Sequence, residues 1–245
     1  MRAIILAAGV GRRLAPFTAS QPKCLLPVGG RSLLERMLTS LDTVGAGEVL
    51  LVVGHCQDQI RGQIGQRFGR LPVRYVENPD YPKGSIRSLW SCRHDLTGDL
   101  LVMDADVLFS SEILRRLIAA PSPSAFLLDQ NFADTGEEMK LFVRGDRVVA
   151  IGKTVRPAVY DRVGEGVGFF KCAAAHSRLL RECVEEIVAQ GDAENEYEDV
   201  LDRLLHQVPV GYVDISGLPW TEIDFPQDLR RAETEVLPRI ERVAA

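Results

Sequence analysis

The sequence predicts an α/β fold with a mostly parallel sheet that has helices on both faces. Through the first half of the chain, short apolar runs of strand type alternate with segments of helical spacing. After about residue 130 the pattern changes to a hairpin and a glycine-rich apolar strand. No repeat or long linker interrupts the 245 residues, so we expect one domain over 1–245, with halves of about 1–130 and 131–245.

The first half contains the alternating elements. Ser110 or Ser111 is the expected N-cap of its last helix. The apolar runs predict strands at 2–6, 49–53, 73–76, 100–103 and 124–128. Helical spacing predicts helices at 57–68, 85–96 and 110–119.

The second half begins with a hairpin. Arg144-Gly145-Asp146-Arg147 is a turn sequence between predicted strands at 139–143 and 148–151. The glycine-rich apolar run 164–170 predicts a strand that a neighbouring segment approaches closely. Helices are predicted at 174–190 and 197–207, followed by a strand at 208–213 and a terminal helix that Pro226 opens.

Composition excludes several classes of protein. The net charge of −5 and the lack of a Lys/Arg block argue against a nucleic-acid partner. The five cysteines are scattered, without a C-x-x-C pair, which predicts reduced, mostly buried thiols in a cytoplasmic protein and no zinc site. The first apolar run is too short for a signal peptide, and no segment is long enough to span a membrane. The oligomeric state is not set by the sequence, and a homodimer stays open.

A glycine-rich loop follows the first predicted strand. Free backbone N–H groups at such a loop suit a phosphate, and Gly9 and Gly11 allow a close approach. Any strand-to-helix turn favours glycine, but two spaced cations, Arg13 and Lys23, favour a triphosphate. The sequence lacks the Gly-Lys-Ser/Thr of a Walker loop and the third glycine of a dinucleotide loop. The expected phosphate-binding residues are Leu6, Ala7, Ala8, Gly9, Gly11, Arg12, Arg13 and Lys23.

Two carboxylates lie at the end of the strand predicted at 100–103. Asp104 and Asp106 are two residues apart, so both point to the same side of an extended chain. Carboxylate oxygens at the carboxyl end of a sheet strand suit Mg²⁺, which bridges to substrate phosphates. A helix N-cap with a solvated acid is the alternative. A later acid, Asp224, ends an extended stretch before a helix and by itself indicates an N-cap.

Leu6-Ala7-Ala8-Gly9-Val10-Gly11-Arg12-Arg13-Leu14, followed by Pro16, Thr18, Pro22, Lys23 and Pro27, resembles the signature of the nucleotidyltransferases that activate phosphorylated sugars and alcohols. The resemblance covers nearly the whole chain and implies a Rossmann-like fold of the GT-A type with a mixed sheet. It is strongest to the small cytidylyltransferases of phosphocholine, 2-aminoethylphosphonate and inositol phosphate. It implies transfer of CMP from CTP to a small phosphorylated acceptor, with Mg²⁺ as cofactor and release of pyrophosphate.

The resemblance also assigns roles on the nucleotide side. It implies that Asp106 and Asp224 hold the metal, that Gly84 and Ser85 contact the base, and that Asp104 contributes to nucleotide binding. Arg12 stands where the family usually has Ser or Thr, which puts one hydroxyl contact to the phosphates in doubt. The segment 84–89 keeps the Ile and Ser-Leu of related cytidylyltransferases but not their Asn pair or Tyr, which leaves the base preference partly open.

The acceptor residues follow from the resemblance as well. Lys153 and Lys140 are implied to face the substrate phosphate, although a surface lysine is the default interpretation. The segment 194–200 combines Tyr197 with acids, which favours an amine or quaternary ammonium group; an acid-rich helix start is an equally good explanation. The remaining expected acceptor contacts are Glu196, Glu198, Trp220 and Glu222, with Tyr160 as a further wall.

Three alternative functions stay open. A sugar-1-phosphate uridylyl- or thymidylyltransferase shares the loop and the metal. A GT-A glycosyltransferase shares Asp-x-Asp, but it has no use for the loop cations. A non-catalytic regulatory homologue predicts nucleotide binding without turnover, against which Arg13, Lys23, Asp106 and Asp224 argue.

Overall fold

A computed structural model describes residues 1–191 and 196–244 of the chain. The strands are β1 (Arg2–Ala7), β2 (Pro27–Val28), β3 (Arg31–Ser32), β4 (Glu48–Val53), β5 (Arg67–Phe68), β6 (Leu71–Glu77), β7 (Leu100–Asp104), β8 (Val107–Phe109), β9 (Ala125–Asp129), β10 (Lys140–Arg144), β11 (Arg147–Gly152), β12 (Arg162–Cys172), β13 (Gly211–Asp214) and β14 (Trp220–Glu222). The α-helices are α1 (Leu33–Thr43), α2 (Gln57–Ile64), α3 (Ile86–Ser91), α4 (Ser111–Ile118), α5 (Ala174–Ala189), α6 (Tyr197–Leu205), α7 (Pro226–Arg231) and α8 (Leu237–Ala244). A π-helical turn, Ala232–Val236, joins α7 to α8.

The described residues form two compact units. The first contains Met1–Pro82, Met103–Arg115 and the chain from Leu218 onward. In it β1, β4 and β6 are parallel neighbours, while β5 pairs antiparallel with β6. α1 precedes β4 and α2 precedes β6, as crossovers between parallel strands require. Val49–Val53 are fully buried, which matches their uninterrupted apolar sequence.

The second unit contains the described residues of Lys83–Val102 and Arg116–Gly217. β10 pairs antiparallel with β11 and β12, and β12 with β9, whereas β13 runs parallel to β9. The predicted hairpin is confirmed as β10–β11, with Gly145 at a positive φ of 61° in its turn. α6 packs on β11, α5 and α3.

The predicted close approach at the glycine-rich strand is confirmed within β12. A Cβ placed on Gly164 would lie 2.6 Å from the backbone oxygen of Asp129 on β9. The glycine therefore lets these two paired strands come together where a side chain would separate them.

Two predicted helices are too long. α2 ends at Ile64 because Gly65 takes a positive φ of 68°, and β5 follows where a helix up to residue 68 was expected. α3 ends at Ser91, and the chain continues as a 3₁₀ turn, Arg93–Asp95. Helical spacing of apolar residues persists past both ends, so periodicity alone does not locate them.

Sequence composition predicted mostly buried, reduced thiols and no segment long enough to span a membrane. All five cysteines are free; Cys24, Cys92, Cys172 and Cys183 are buried, and Cys56 is half-buried. Among the described residues, every helix is too short or too polar to cross a bilayer.

Candidate active site

The glycine-rich loop of the first unit is open at Gly9 and closed at Gly11. Gly11 has a φ of 65°, and a Cβ there would lie 3.2 Å from side-chain atoms of both Lys23 and Thr18. Thr18 Oγ1 donates to the Gly11 carbonyl at 2.7 Å, which holds the far side of the loop. A Cβ on Gly9 would meet no heavy atom within 4 Å. The backbone of this loop is therefore approachable at Gly9.

The end of β4 supports the beginning of the loop. His55 N–H donates to the Ala8 carbonyl at 3.1 Å. A Cβ on Gly54 would lie 2.7 Å from the Tyr81 ring and 3.0 Å from the Ala8 oxygen. Gly54 thus allows β4 to end directly against the loop, while Arg12 extends from it as an exposed residue.

Three carboxylates meet in the same unit. Asp106, Glu222 and Asp224 each offer an oxygen, and these oxygens lie within 4.8 Å of one another. The pairing of β8 with β14 brings them together, because Glu222 is opposite Val107 and Ile223 N–H donates to the Asp106 carbonyl at 3.1 Å. Sequence analysis predicted Asp106 and Asp224 at one site through the family resemblance, but it did not predict this strand pair.

Asp228, which sequence analysis did not single out, holds the Asp224 backbone. Its Oδ2 accepts from Asp224 N–H at 3.0 Å and from Phe225 N–H at 2.7 Å. An acid just inside a helix that begins with Pro226 is a recognisable capping signal. Packing also anchors the segment that contains Asp224, because its neighbour Ile223 is fully buried in an apolar cluster with Leu14, Leu108, Ala232 and others.

Lys23 bridges two of the three carboxylates. Its Nζ lies 2.8 Å from Asp106 Oδ2 and 2.5 Å from Asp224 Oδ1, and its side chain is 12% exposed. Burial alone would lower the pKa of this ammonium, but the charges of Asp106, Asp224 and Glu222 outweigh burial and raise the pKa above its ordinary value. Lys23 is therefore a fixed cation inside the carboxylate cluster.

Arg13 contacts the cluster from its exposed side. Arg13 Nη2 lies 3.2 Å from Asp224 Oδ2, and its guanidinium carbon lies 5.1 Å from the centroid of the Phe225 ring. Nearly half of the Arg13 side chain is exposed. Both cations that sequence analysis assigned to a triphosphate thus lie beside the acids that it assigned to a metal.

The chemistry of the cluster fits a hard divalent cation. Asp106 Oδ1 is buried and accepts no hydrogen bond from any residue that the structure describes. A buried acceptor without a donor is costly, and a metal ion would satisfy it. Carboxylate oxygens are the donors that Mg²⁺ prefers.

The predicted base-contacting residues belong to the second unit. Gly84 has a φ of 119°, and Ser85 stands directly before α3. Ser85 Oγ donates to Glu196 Oε2 at 2.5 Å and accepts from Tyr197 N–H at 2.8 Å. The structure therefore brings together a predicted nucleotide residue and two predicted acceptor residues.

The two candidate acceptor lysines have acidic partners on the segment before β10. Lys140 is buried, and its Nζ lies 2.7 Å from Asp134 Oδ1. Lys153 is exposed, and its Nζ lies 3.9 Å from Glu137 Oε2. Sequence analysis did not predict either acidic partner.

The acidic start of α6 contains one carboxyl with an unusual pKa. Burial raises the pKa of Glu198 to about 8, the charges of Glu196 and Asp199 add to the increase, and Lys153 opposes it. Tyr197 is 4% exposed, so its ring belongs to the interior. Glu196 is exposed. Glu194 and Asn195 of this segment lie outside the described residues.

Tyr160, the further wall predicted for the acceptor, belongs to the second unit, where its ring contacts the Phe142 ring edge-on at a centroid distance of 5.0 Å. Trp220, Glu222 and Asp104 belong to the first unit. Trp220 is half-buried on β14, and Glu222 ends that strand within the carboxylate cluster. Asp104 is half-buried at the end of β7. The 3₁₀ turn Lys23–Leu25, which follows Pro22, places Lys23.

Comparisons with known proteins show which family the chain resembles. The model of the MobA-like NTP transferase domain matches residues 3–159. The bifunctional IPC transferase and DIPP synthase of Rubrobacter xylanophilus is 36% identical over 96% of this chain and 52% of its own length. The CMP-5'-(3-aminopropyl)phosphonate synthase of Streptomyces rubellomurinus is 31% identical over 97% of this chain and 39% of its own length. The chain thus spans about half or less of these relatives.

A solved structure shares the fold. The inositol-1-phosphate CTP transferase of T. maritima superposes with a TM-score of 0.78 at 22% identity, covering 98% of this chain and 96% of that one. This likeness confirms the predicted fold class, a mixed, mostly parallel sheet flanked by helices. The predicted resemblance to the nucleotidyltransferases, and among them to the cytidylyltransferases, is confirmed as well.

Proposed function

The chain belongs to the MobA-like NTP transferase domain family, and from this membership we propose that it is a Mg²⁺-dependent cytidylyltransferase. It transfers CMP from CTP to a small phosphorylated alcohol or a phosphonate. The observation that carries the proposal is the carboxylate cluster of Asp106, Glu222 and Asp224, with Lys23 and Arg13 beside it. The name of one relative, CMP-5'-(3-aminopropyl)phosphonate synthase, supports CTP as the nucleotide and a phosphonate as one class of acceptor.

The reaction exchanges one bond to the α-phosphorus for another. An anionic oxygen of the acceptor attacks the α-phosphorus, the bond to the bridging oxygen of the β-phosphate breaks, and pyrophosphate leaves with that electron pair. The attacking oxygen carries no proton, so no general base is needed. Catalysis then consists of positioning and of charge neutralisation.

The first unit supplies the residues for the triphosphate. Gly9 offers approachable backbone, and Arg13 and Lys23 neutralise the phosphates and the departing pyrophosphate. Asp106 and Asp224 would hold Mg²⁺, with Glu222 as a third carboxylate. When bound, the ion neutralises charge on the reacting phosphates.

The residues for the base and the acceptor are proposed from the family resemblance. Gly84 belongs to the turn proposed to contact the base, and Lys140 and Lys153 are proposed to bind the acceptor phosphate. Each lysine already has a carboxylate partner, Asp134 or Glu137, that an acceptor phosphate would replace. The proposal includes a cytoplasmic location, where free thiols stay reduced.

Pyrophosphate release tests the proposal. The purified chain with MgCl₂ is given CTP, UTP, dTTP or ATP together with phosphocholine, 2-aminoethylphosphonate, inositol 1-phosphate or glucose 1-phosphate. We expect release with CTP and with a small alcohol phosphate or phosphonate. Release only with UTP or dTTP and glucose 1-phosphate would overturn it in favour of a sugar nucleotidyltransferase.

Matched variants identify the site in the same assay. Asp224→Asn should lower the rate about 100-fold or more, because it removes a carboxylate that is proposed to hold the ion. Asp146→Asn, which changes an exposed acid in the β10–β11 turn, should leave the rate unchanged. Equal rates for both variants would contradict the site assignment.

A further inference from the structure

Thr18 belongs to the sequence motif that follows β1, but it is not among the residues proposed above to contact a substrate. The residue is 2% exposed, and its Oγ1 donates to the Gly11 carbonyl at 2.7 Å. Leu14 N–H donates to the same carbonyl at 3.0 Å. Two donors inside the protein therefore fix the direction of the Gly11 carbonyl.

His55 fixes a second carbonyl at the beginning of the same loop. Its backbone N–H donates to the Ala8 carbonyl at 3.1 Å. Its ring nitrogen Nε2 lies 3.4 Å from the Thr18 carbonyl oxygen. His55 therefore contacts both ends of the segment 8–18, and Thr18 connects it to the Gly11 carbonyl in the middle.

Each fixed carbonyl determines the direction of the N–H group in the same peptide plane. The C=O and N–H of a trans peptide point in opposite directions, and Ala15–Pro16 is the one cis peptide among the described residues. The Gly9 N–H therefore points away from His55, and the Arg12 N–H points away from Thr18. Within the part of the chain that the structure describes, no group accepts a hydrogen bond from either N–H. Both N–H groups are thus available to an anion.

The loop needs such fixed carbonyls because it is rich in glycine. Gly9 and Gly11 adjoin the two peptide planes, and glycine lets a peptide plane rotate at little steric cost. A rotated peptide would present its carbonyl oxygen, which is an acceptor, to a phosphate in place of its N–H. N–H groups that already point at the phosphate stabilise its charge without reorganisation during the reaction.

We propose that Thr18 is a positioning residue that keeps the Arg12 N–H directed at the triphosphate, and that His55 N–H does the same for the Gly9 N–H. The inference rests on the proposed function and deepens it, because it assigns the contact at Arg12 to the backbone. Every residue except proline supplies that N–H, so the contact does not depend on a Ser or Thr hydroxyl at position 12.

Calorimetric binding of CTP and of inorganic tripolyphosphate, each with MgCl₂ and without an acceptor, tests the role of the Thr18 hydroxyl. Thr18→Val keeps the shape of the side chain and removes the hydroxyl, and it should raise Kd for both probes about tenfold. The two increases should be equal, because the hydroxyl acts on the phosphates and not on the base. Thr18→Ser, which keeps the hydroxyl, should restore both affinities. An unchanged Kd for tripolyphosphate in Thr18→Val would overturn the inference.

A matched variant and the acceptor kinetics separate positioning from general damage. Thr43 Oγ1 donates to the Thr39 carbonyl at 2.8 Å at the end of α1, so Thr43→Val also removes a hydroxyl that donates to a carbonyl. It should leave both Kd values unchanged. In turnover, Thr18→Val should raise KM for CTP and leave KM for the acceptor unchanged. Equal increases in the two KM values would indicate general damage and overturn the positioning role.

Amide NMR spectra test the two peptides separately. In the wild-type protein, saturation with tripolyphosphate and MgCl₂ should shift the amide resonances of both Gly9 and Arg12. In Thr18→Val at equal saturation, the shift at Arg12 should decrease while the shift at Gly9 stays, because His55 N–H still holds the Ala8 carbonyl. Equal losses at both amides, or no loss at Arg12, would overturn the inference.

Further outcomes distinguish this inference from the proposed function. Tripolyphosphate binding that depends on the Thr18 hydroxyl, together with turnover of UTP and glucose 1-phosphate but not of CTP, would support the inference and overturn the proposed function. CTP-dependent turnover with an unchanged KM for CTP in Thr18→Val would overturn the inference alone. Failure of the wild-type protein to bind either CTP or tripolyphosphate would overturn both.

Discussion

Lys23 Nζ lies 2.5 Å from Asp224 Oδ1, so a cation of the phosphate loop neutralises a proposed metal ligand that follows it by 201 residues. The same ammonium is 2.8 Å from Asp106 Oδ2. Lys23 thus forms ion pairs with the same two carboxylates that would bind a divalent cation. Phosphates of a bound nucleotide would offer the ammonium another anionic partner and leave the carboxylates to the ion.

Lys23→Met should therefore raise the affinity of the nucleotide-free protein for Mn²⁺, by about tenfold. Without the ammonium, the carboxylates of Asp106 and Asp224 repel each other until a cation binds between them. Turnover with CTP should fall about 100-fold or more, because the same ammonium is proposed to stabilise the departing pyrophosphate. Free Mn²⁺ is measured by electron paramagnetic resonance during titration.

Arg178→Met is the control for loss of one positive charge. Arg178 is exposed on α5, where it pairs with Glu182. It should leave the Mn²⁺ affinity unchanged. An equal Mn²⁺ affinity in Lys23→Met and the wild-type protein would contradict competition between the ammonium and the ion.

The two loop glycines should respond differently to alanine. Gly11→Ala forces a side chain into a φ of 65° with atoms of Lys23 and Thr18 at 3.2 Å, and should cost about 1–2 kcal/mol of unfolding free energy. Gly9→Ala meets no atom within 4 Å, so the Tm should stay unchanged while KM for CTP rises about tenfold. Thermal unfolding and CTP kinetics measure both effects. A lowered Tm in Gly9→Ala, or an unchanged KM, would argue against phosphate contact there.

Asp228→Ala should weaken Mn²⁺ binding although Asp228 is not one of the clustered carboxylates. Its carboxylate accepts from the N–H groups of Asp224 and Phe225, so its loss frees the backbone that places Asp224. Loss of such a cap costs about 1 kcal/mol of stability. Mn²⁺ titration and urea unfolding measure the two effects, and Asp228→Asn, which keeps an acceptor oxygen, should lose less of each. Wild-type Mn²⁺ affinity in Asp228→Ala would show that Asp224 is positioned without it.

Glu198 should make the protein less stable as the pH rises. Burial, together with the charges of Glu196 and Asp199, raises its pKa from 4.5 to about 8. Between pH 4.5 and about pH 8 the folded chain keeps a proton on Glu198 that the unfolded chain has lost. The stabilisation that comes from this proton is therefore complete below pH 4.5, decreases between pH 4.5 and about pH 8, and does not change further above about pH 8.

Glu198→Gln removes the pH dependence of stability that the Glu198 carboxyl causes. The variant should therefore gain stability relative to the wild-type protein as the pH rises, with the largest gain at pH 8 and above. Urea unfolding at a series of pH values measures the difference. Glu233→Gln, an exposed acid of the π-helical turn, is the control and should show no pH-dependent difference. A constant difference for Glu198→Gln at every pH would contradict the raised pKa.

Much of the fold follows from local pattern. The buried run of β4 and the helix predicted after it indicate parallel strands, because an uninterrupted apolar strand must be covered on both faces. The helix before β4, α1, was not predicted. The hairpin of β10 and β11 follows from its turn residues. The end of α2 does not follow from local pattern, because the helical spacing of apolar residues continues past Gly65, where the helix ends.

For the candidate site as well, some features follow from local sequence patterns and others only from the tertiary structure. By itself, the sequence determined the types of chemistry: glycines with cations after β1, an acid after β7 and an acid before α7, because each is a local pattern of a few residues. Only the tertiary structure decided their partners: β8 with β14, Lys23 with Asp106 and Asp224, and Ser85 with Glu196. Contacts between segments more than 80 residues apart depend on how strands pair and helices pack, and a local pattern does not specify that.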